Sequence, residues 1–495
     1  MVNTGKPSGA CRTCLTKRIK CDETKPQCRK CLKNIGFCSG YRSSNELTFR
    51  DQNAYAAAKV LSRRANQPSS QPQPPKSSQP HLNLLPPHPS SPPSSSHLIT
   101  STAVEHFAQD YALGAQPSTL FSTLTTQWSR NALHPSLLAA LPAVSLANAY
   151  TRTNAPSHLA AARHRYGAAL ARVGTALTHH AHINNRSRDG QLLLALILLN
   201  LFEMMAGDVA GNGQDLHYAG KVALLRLRGE EGLADDDGRV LFRMVFAQVC
   251  VADLRAGRMP PREGRRWLDA LWREGGGYVA DKVVEMEWEV AVFCARAGEV
   301  VEGEAGMKAG KKAGKRLQEL LVEGEELLDR LERWAEGEGE QWQFERKTVV
   351  GPKRKGEDKA GWETVHVYFN LVAATNWNFN RALRISLANT LLRLAGRMQA
   401  VDPVFKLLTG VRQSLWKQTT LELADDICES MPFILADHRQ NAQSRSTGAA
   451  VLGYQCLWPL RVASTVDGIK VERRSELMDW NGYIAYQLGF REAMA

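Results

Sequence analysis

The sequence predicts a mainly α-helical protein with two folded parts of unequal size and an unstructured segment between them. Six of its ten cysteines fall within residues 11–38, and ten of its 22 prolines fall between Pro68 and Pro93. Beyond residue 100, alanine and leucine recur at the three- and four-residue spacing of buried helix faces. These observations divide the chain into a small cysteine-rich head, a linker and a large helical body.

The cysteine-rich head consists of two halves that share the spacing C-x2-C-x6-C and stand 17 residues apart. Its cysteines are Cys11, Cys14, Cys21, Cys28, Cys31 and Cys38. Structural zinc takes four thiolate or imidazole ligands in a tetrahedron. Six cysteines therefore complete two zinc sites only if two of them bridge both metals. The repeat favours the first cysteine of each half, Cys11 and Cys28, as the bridging pair, and two zinc ions are the predicted cofactors.

Three disulfides are the alternative use of six cysteines. Disulfides belong to oxidising compartments, whereas this segment is rich in lysine and arginine and follows no secretory signal. Zinc is therefore the favoured interpretation. The remaining cysteines are scattered along the chain, mostly in apolar helical stretches, and are expected to be buried free thiols. They are Cys250, Cys294, Cys428 and Cys456.

Positive charge is concentrated in the head. The interval between the second and third cysteines reads Leu-Thr-Lys-Arg-Ile-Lys and contains Lys17, Arg18 and Lys20. Lysine and arginine make the commonest specific base contact, to guanine O6 and N7 in the major groove. Residues 1–64 hold 14 Lys/Arg against four Asp/Glu, a charge of +10, which leaves +2 of the total +12 for all other residues. This asymmetry is typical of a nucleic-acid-binding head on a near-neutral body.

The head resembles the fungal two-zinc, six-cysteine cluster of transcription factors. Every cysteine spacing lies within that family's limits, and Pro26 stands where the family usually has a proline. The resemblance implies a domain over residues 9–42 with two short helices, one of which enters the DNA major groove. It also implies a nuclear, sequence-specific transcription factor that reads CGG-like triplets and regulates transcription by RNA polymerase II.

The same resemblance distributes the contacts to double-stranded DNA over the head. Lys17 and Arg18 occupy the family's base-reading positions. Phosphate contacts position a protein on the duplex without reading its sequence. They are expected from Arg12, Lys20, Arg29, Lys30 and Lys33.

Two segments separate the head from the body. Residues 43–64 are predicted to form a basic helical extension. This extension has no sustained heptad repeat, so the sequence leaves a homodimer open and predicts no coiled coil. Residues 65–97 are rich in proline, serine and glutamine. Such a segment cannot bury enough apolar surface to offset the entropy of ordering, and it is predicted to be a disordered linker.

The body, residues 100–495, is predicted to be all-α, with irregular insertions near 298–316 and 351–359 and without strands. Prolines 135, 142 and 156 are expected to delimit its first helices. Helices are predicted over residues 192–205, 216–227, 240–254 and 317–334. The apolar run within 192–205 falls short of the ~20 residues of a bilayer span. A buried core helix and no membrane partner are therefore predicted.

Three short motifs of the body resemble the second type of fungal-specific regulatory domain. They are Phe202-Glu203 at the end of an apolar helix, residues 217–229 ending in Leu-Arg-Gly, and Leu-Trp-Pro-Leu at 457–460. The resemblance implies a regulatory domain over 100–495 that contacts the transcription machinery or co-regulators.

Signatures of catalysis are poor. The chain has no G-x-S-x-G elbow, no G-x-G-x-x-G after a strand and no H-E-x-x-H, so it is predicted not to be an enzyme. Two functions compete. One is a sequence-specific transcription factor; the other is a zinc-stabilised binding or scaffold protein whose helical domain senses a small molecule or partner. The basic interval at residues 17–20 favours the first, because a purely structural cluster does not need it.

Overall fold

The structure is a computed structural model that divides into two compact units, Met1–His88 and Pro89–Ala495. In the first unit it describes residues 10–11, 13–14, 17, 19–24, 28–35 and 38. In the second it describes residues 95–111, 124, 128, 130, 133–179, 186–206, 216–275, 278–303, 311–350, 362–401, 405–440 and 448–490. The predicted extension at 43–64 and the predicted linker up to residue 94 lie outside the described residues.

The first unit contains short helices at the two cysteine pairs. Thr13 and Cys14 are helical, and the Lys17 amide donates to the Thr13 carbonyl at 3.0 Å, the i to i−4 bond of an α-helical turn. Helix α1, Arg29–Ile35, begins directly after the first cysteine of the second half. The predicted fold class of the head, two short helices around clustered cysteines, is confirmed.

The second unit is mainly helical, which also confirms the predicted class. In chain order its described α-helices are α2 Ser95–Tyr111, α3 Pro135–Thr153, α4 Pro156–His179, α5 Arg186–Ala206, α6 Tyr218–Arg228, α7 Asp236–Ala256, α8 Gly264–Arg273, α9 Val279–Gly303, α10 Lys311–Glu332, α11 Leu371–Val401, α12 Phe405–Gln440, α13 Ala449–Ser464 and α14 Val471–Tyr486. Short 3-10 helices span Glu230–Leu233 and Glu340–Trp342. None of the described helices is long and apolar enough to span a bilayer.

A β-hairpin interrupts the helices and is a local departure from the all-α body that the sequence predicts. Strand β1, Phe344–Val350, pairs antiparallel with β2, Trp362–Tyr368. The predicted insertion at 351–359 falls in the connection between them, outside the described residues. The hairpin's buried positions are polar, since His366 is fully buried and Tyr368 nearly so. Their burial depends on partners from α11 and α12, and the strand sequence alone does not reveal those partners.

Two boundaries predicted from proline and glycine are also corrected. Pro135 and Pro156 begin α3 and α4 as expected, but Pro142 lies inside α3. Proline there removes one backbone hydrogen bond, and α3 tolerates the loss because residues 140–149 are all buried in the core. The glycine-rich stretch near 298–316 is helical up to Gly303 and again from Lys311.

The described residues of the second unit form two hydrophobic clusters. The larger draws mainly on α2–α8 and α12–α14, and the smaller mainly on α9–α11. Helix α5 lies inside the larger one, and its residues 192–199 are all buried. A helix that is apolar on every side must be surrounded by others. This confirms the buried helix predicted over 192–205. The four scattered cysteines are buried free thiols, as predicted.

Candidate metal centre and nucleic-acid interface

The cysteine sulfurs of the head fall into two overlapping groups, and within each group all Sγ atoms lie within 4.8 Å of one another. The first group contains Cys11, Cys14, Cys21 and Cys28, and the second contains Cys11, Cys31 and Cys38. All are buried except the half-buried Cys21, and none forms a disulfide. Each group therefore combines cysteines from both halves of the repeat.

The separations of the sulfurs suit zinc. Cys11 Sγ lies 3.6 Å from Cys31 Sγ, and Cys14 Sγ lies 3.8 Å from Cys28 Sγ. A disulfide needs about 2.05 Å. Four thiolates at ~2.3 Å around one tetrahedral zinc stand ~3.8 Å apart. The chemistry and the spacing of the donors both fit two bound zinc ions.

The backbone repeats the symmetry of the sequence. The Cys11 amide donates to Cys21 Sγ at 3.4 Å, and 17 residues later the Cys28 amide donates to Cys38 Sγ, also at 3.4 Å. A second amide, of Glu23, also donates to Cys21 Sγ at 3.4 Å. Amide donors stabilise a thiolate, the form that binds metal.

The protonation of these cysteines depends on a cation at the centre. The bond from the Cys11 amide lowers the pKa of the Cys21 thiol to about 6. Burial raises the pKa of Cys11 to about 12 and raises the pKa of Cys14 and of Cys28 as well. Buried sulfurs this close cannot all ionise unless positive charge lies between them. Zinc supplies that charge, and its binding releases the protons.

Asp22 and Thr24 cap α1, the helix of the second half of the head. The sequence did not predict this role. Asp22 Oδ2 accepts from the Lys30 amide at 3.0 Å, and Thr24 Oγ1 accepts from the Arg29 amide at 3.1 Å. Thr24 Oγ1 also donates to Asp22 Oδ1 at 2.9 Å. Burial opposes ionisation of Asp22, but hydrogen bonds from Cys28, Thr24 and the Lys30 amide lower its pKa to about 2. Both residue types favour helix N-termini, yet they stand several residues before α1, so the usual sequence signal was absent.

The cations predicted to contact DNA are exposed wherever the structure describes them. Exposed side chains are found at Lys17, Lys20, Arg29, Lys30 and Lys33. Arg12 and Arg18 lie outside the described residues. Among the described residues of the head, the apolar side chains of Ile19, 40% exposed, and Leu32, 43% exposed, accompany the cations at the surface.

The first turn of α1 offers no free amide at its first two residues. The Arg29 and Lys30 amides already donate to Thr24 and Asp22. A phosphate that approaches this end of α1 must therefore be bound by the side chains of Arg29 and Lys30 rather than by these two backbone groups.

The body holds a second group of metal-ligand types, formed by His366, Asp426 and Glu429. Arginine side chains already pair with members of this group. Arg346 donates to Asp426 at 2.9 Å, and the Arg381 guanidinium lies 3.1 Å from His366 Nδ1. Because Arg381 can only donate, Nδ1 of His366 accepts, while Nε2 lies 3.3 Å from both Arg346 Nε and Glu429. The group is an ion-pair network that fastens the hairpin to α11 and α12, and its guanidinium groups would repel a metal ion.

Comparison with known protein families decides the nature of the head. Residues 9–47 match the family described as the fungal Zn(2)-Cys(6) binuclear cluster domain. The head is a fungal Zn(2)-Cys(6) binuclear cluster domain. A domain of this kind binds two zinc ions, as the sequence predicted. It indicates a family of fungal DNA-binding transcription factors, which are regulators rather than enzymes and are generally nuclear. No curated protein and no solved structure matches the chain.

Proposed function

We propose that this protein is a nuclear, sequence-specific regulator of RNA polymerase II transcription that reads CGG-like triplets in the major groove of double-stranded DNA. One observation carries the proposal: exposed cations lie on both halves of the zinc cluster domain, close to cysteines that hold the metal. A purely structural cluster has no need of such a surface. Anchoring to metal reduces the entropy that these cations lose on binding a rigid duplex.

Within the cluster we assign each zinc ion four cysteines. One ion binds Cys11, Cys14, Cys21 and Cys28; the other binds Cys11, Cys28, Cys31 and Cys38. The overlapping sulfur groups support this assignment, because Cys11 belongs to both and Cys28 belongs to the group of the first half. The matching amide bonds to Cys21 and Cys38 support it further, since they give the third cysteine of each half the same environment.

For the DNA surface we assign two different roles to the cations. Lys17 and Arg18 read base edges, because they belong to the cation-rich interval held between ligand cysteines. Phosphates are contacted by Arg12, Lys20, Arg29, Lys30 and Lys33. The exposure of the last four and the use of the first α1 amides for capping support contacts through side chains.

The chain has four parts in this proposal. The cluster domain spans 9–42 and is followed by a basic extension at 43–64 and by a linker from residue 65 to the start of α2. The helical body, about 100–495, is the regulatory domain and contacts the transcription machinery or co-regulators. Helix α2 begins at Ser95, so the ordered body starts slightly earlier than its sequence motifs indicate.

A binding titration tests the proposed function. The zinc-loaded full chain is titrated at one salt concentration with labelled duplexes that contain either a CGG triplet or a scrambled sequence of equal length. We expect the CGG duplex to bind at least about tenfold more tightly, because each well-made base contact discriminates by ~1–3 kcal/mol. Equal affinity for the two duplexes would contradict sequence-specific reading.

A further inference from the structure

The two halves of the cluster domain are joined by a polar brace, which we define as the side chains of Asp22 and Thr24. Both residues follow the last cysteine of the first half. Their oxygens accept the first two amides of α1 in the second half, Lys30 at 3.0 Å and Arg29 at 3.1 Å. The brace is also closed on itself, since the Thr24 amide donates to Asp22 Oδ1 at 3.2 Å.

Zinc ligation alone does not fix the orientation of the α1 backbone, whereas the brace does. Metal ligation places sulfur atoms, but two rotatable bonds separate each sulfur from its backbone. Hydrogen bonds beyond the metal ligands commonly set the orientation of the residues that supply those ligands. In the second half, the brace acts on the backbone of Arg29 and Lys30, the residues whose side chains face solvent.

The brace also explains why an acidic residue stands in a surface built for DNA. Asp22 and Glu23 are the only acidic residues between Cys11 and Cys38. A carboxylate beside phosphates lowers affinity for DNA, so an acidic residue at this position calls for a structural use. Asp22 has that use, whereas the Glu23 side chain is exposed and makes no hydrogen bond or ion pair with any described residue. Glu23 is therefore a matched control of equal charge.

We propose that Asp22 and Thr24 are positioning residues for DNA recognition. They hold α1 at a fixed angle to the first half, so that the phosphate-binding cations of α1 and the base-reading residues of the first half engage one duplex in one register. The inference rests on the proposed DNA-binding function and adds to it the residues that set the geometry between the two kinds of contact.

The test compares variants of the full, zinc-loaded chain by the ratio of CGG to scrambled affinity at matched salt. Asp22→Ala removes the acceptor, and we expect the ratio to fall about five- to tenfold, in line with the loss of a helix N-cap. Asp22→Asn removes the charge and keeps only one of the two acceptor oxygens, so its ratio should fall less than that of Asp22→Ala. Glu23→Gln removes the same charge without touching the brace, so both affinities should rise while the ratio stays within about twofold of wild type.

Two further measurements separate positioning from a general loss of structure. Zinc content should stay at two ions per chain in Asp22→Ala, and hydrogen exchange of the Arg29 and Lys30 amides should accelerate. Thr24→Ala should lower the ratio less than Asp22→Ala, and Thr24→Ser, which keeps the hydroxyl, should restore it. Both Thr24 variants leave Asp22 in place, so they still test the inference if Asp22→Ala fails to fold.

The outcomes distinguish this inference from the proposed function. Equal binding of both duplexes by the wild-type chain overturns the proposed function and this inference with it. A wild-type preference that survives unchanged in Asp22→Ala, with two zinc ions bound, overturns the inference alone. The inference is also overturned if the ratio falls only through lost zinc and added zinc restores it.

Discussion

The Cys11 amide donates to Cys21 Sγ at 3.4 Å, and Cys28 makes the same bond to Cys38 in the second half. The sequence repeat is thus a repeat of hydrogen bonds as well as of residue types. In the proposed assignment, the donor of each bond belongs to a bridging cysteine and the acceptor is a terminal ligand. Cysteines of these two kinds should therefore respond differently to substitution.

Replacement of a bridging cysteine should disturb both metals. We expect Cys11→Ser or Cys28→Ser to lower the zinc content of the purified full chain from two ions towards none, because each bridging sulfur belongs to both tetrahedra. Cys38→Ser should leave about one ion tightly bound. Elemental analysis after dialysis against a weak chelator measures the content, and Cys250→Ser is a control outside the cluster. A Cys38→Ser chain that loses zinc as completely as Cys11→Ser would contradict the assignment.

Two arginine variants should distinguish the loss of a base contact from the loss of a phosphate contact. Arg18→Ala should cost about 1–3 kcal/mol on the CGG duplex and spare the scrambled one, because it removes a contact to a base edge. Arg29→Ala should weaken both duplexes alike and lower the salt dependence of binding by about one phosphate contact.

The measurement is the affinity of both variants for both duplexes over a range of salt concentrations. If Arg18→Ala weakens the two duplexes equally, residue 18 is a phosphate contact and the base-reading assignment is wrong.

Removal of zinc should leave the helical body folded. The metal-ligand group that the structure describes in the body is occupied by arginines, so no metal is needed to neutralise it. We expect a strong chelator to abolish binding to the CGG duplex while most of the far-ultraviolet circular dichroism of the full chain persists. Restoration of DNA binding by added zinc is the control. Loss of most of the helical signal in chelator would show that the body depends on metal.

Glu287 should make the stability of the body depend on pH. It lies on α9, is 3% exposed, and its Oε2 has no hydrogen-bond partner among the described residues. Burial raises the pKa of Glu287 from 4.5 to about 8. The titratable group that interacts with Glu287 across the helix interface is the buried Cys250 thiol on α7, which provides no cation.

The sign of the dependence follows from the raised pKa. Below pH 4.5 the carboxyl is protonated in both states, so its stabilising contribution relative to the ionised form is fully present. That contribution is lost at about 1.4 kcal/mol per pH unit as pH rises towards 8, because the unfolded chain ionises first. Glu287→Gln removes the ionisation and should raise stability at pH 7 by on the order of 3 kcal/mol.

Thermal or urea unfolding of wild type and Glu287→Gln between pH 5 and pH 8 measures this difference. The gap between the two proteins should widen as pH rises. Glu299→Gln, on the exposed side of the same helix, is the matched control and should show no such trend. A constant gap between wild type and Glu287→Gln would mean that Glu287 stays ionised in the folded protein.

Features that depend on residue type and spacing were accessible from the sequence. Six cysteines at two equal spacings predicted the zinc cluster, because tetrahedral ligation leaves few ways to use six thiolates. The apolar run at 192–199 predicted a buried helix, since every side of it must be covered. The excess of cations in residues 1–64 predicted the nucleic-acid-binding end of the chain.

The features that the sequence did not reveal all depend on which segments meet in space. The brace between Asp22 and the Lys30 amide, the hairpin held by His366 and Arg381, and the continuation of α3 through Pro142 each involve a local preference that a tertiary contact satisfies or overrides. A capping oxygen, a buried imidazole or a helical proline is stable only when its partner or its packing is in place. Spacing along the chain determined the metal and the helices. Contacts between separate segments decided how the polar groups find hydrogen-bond partners, because a buried hydrogen bond or ion pair needs two partners that the linear order does not bring together.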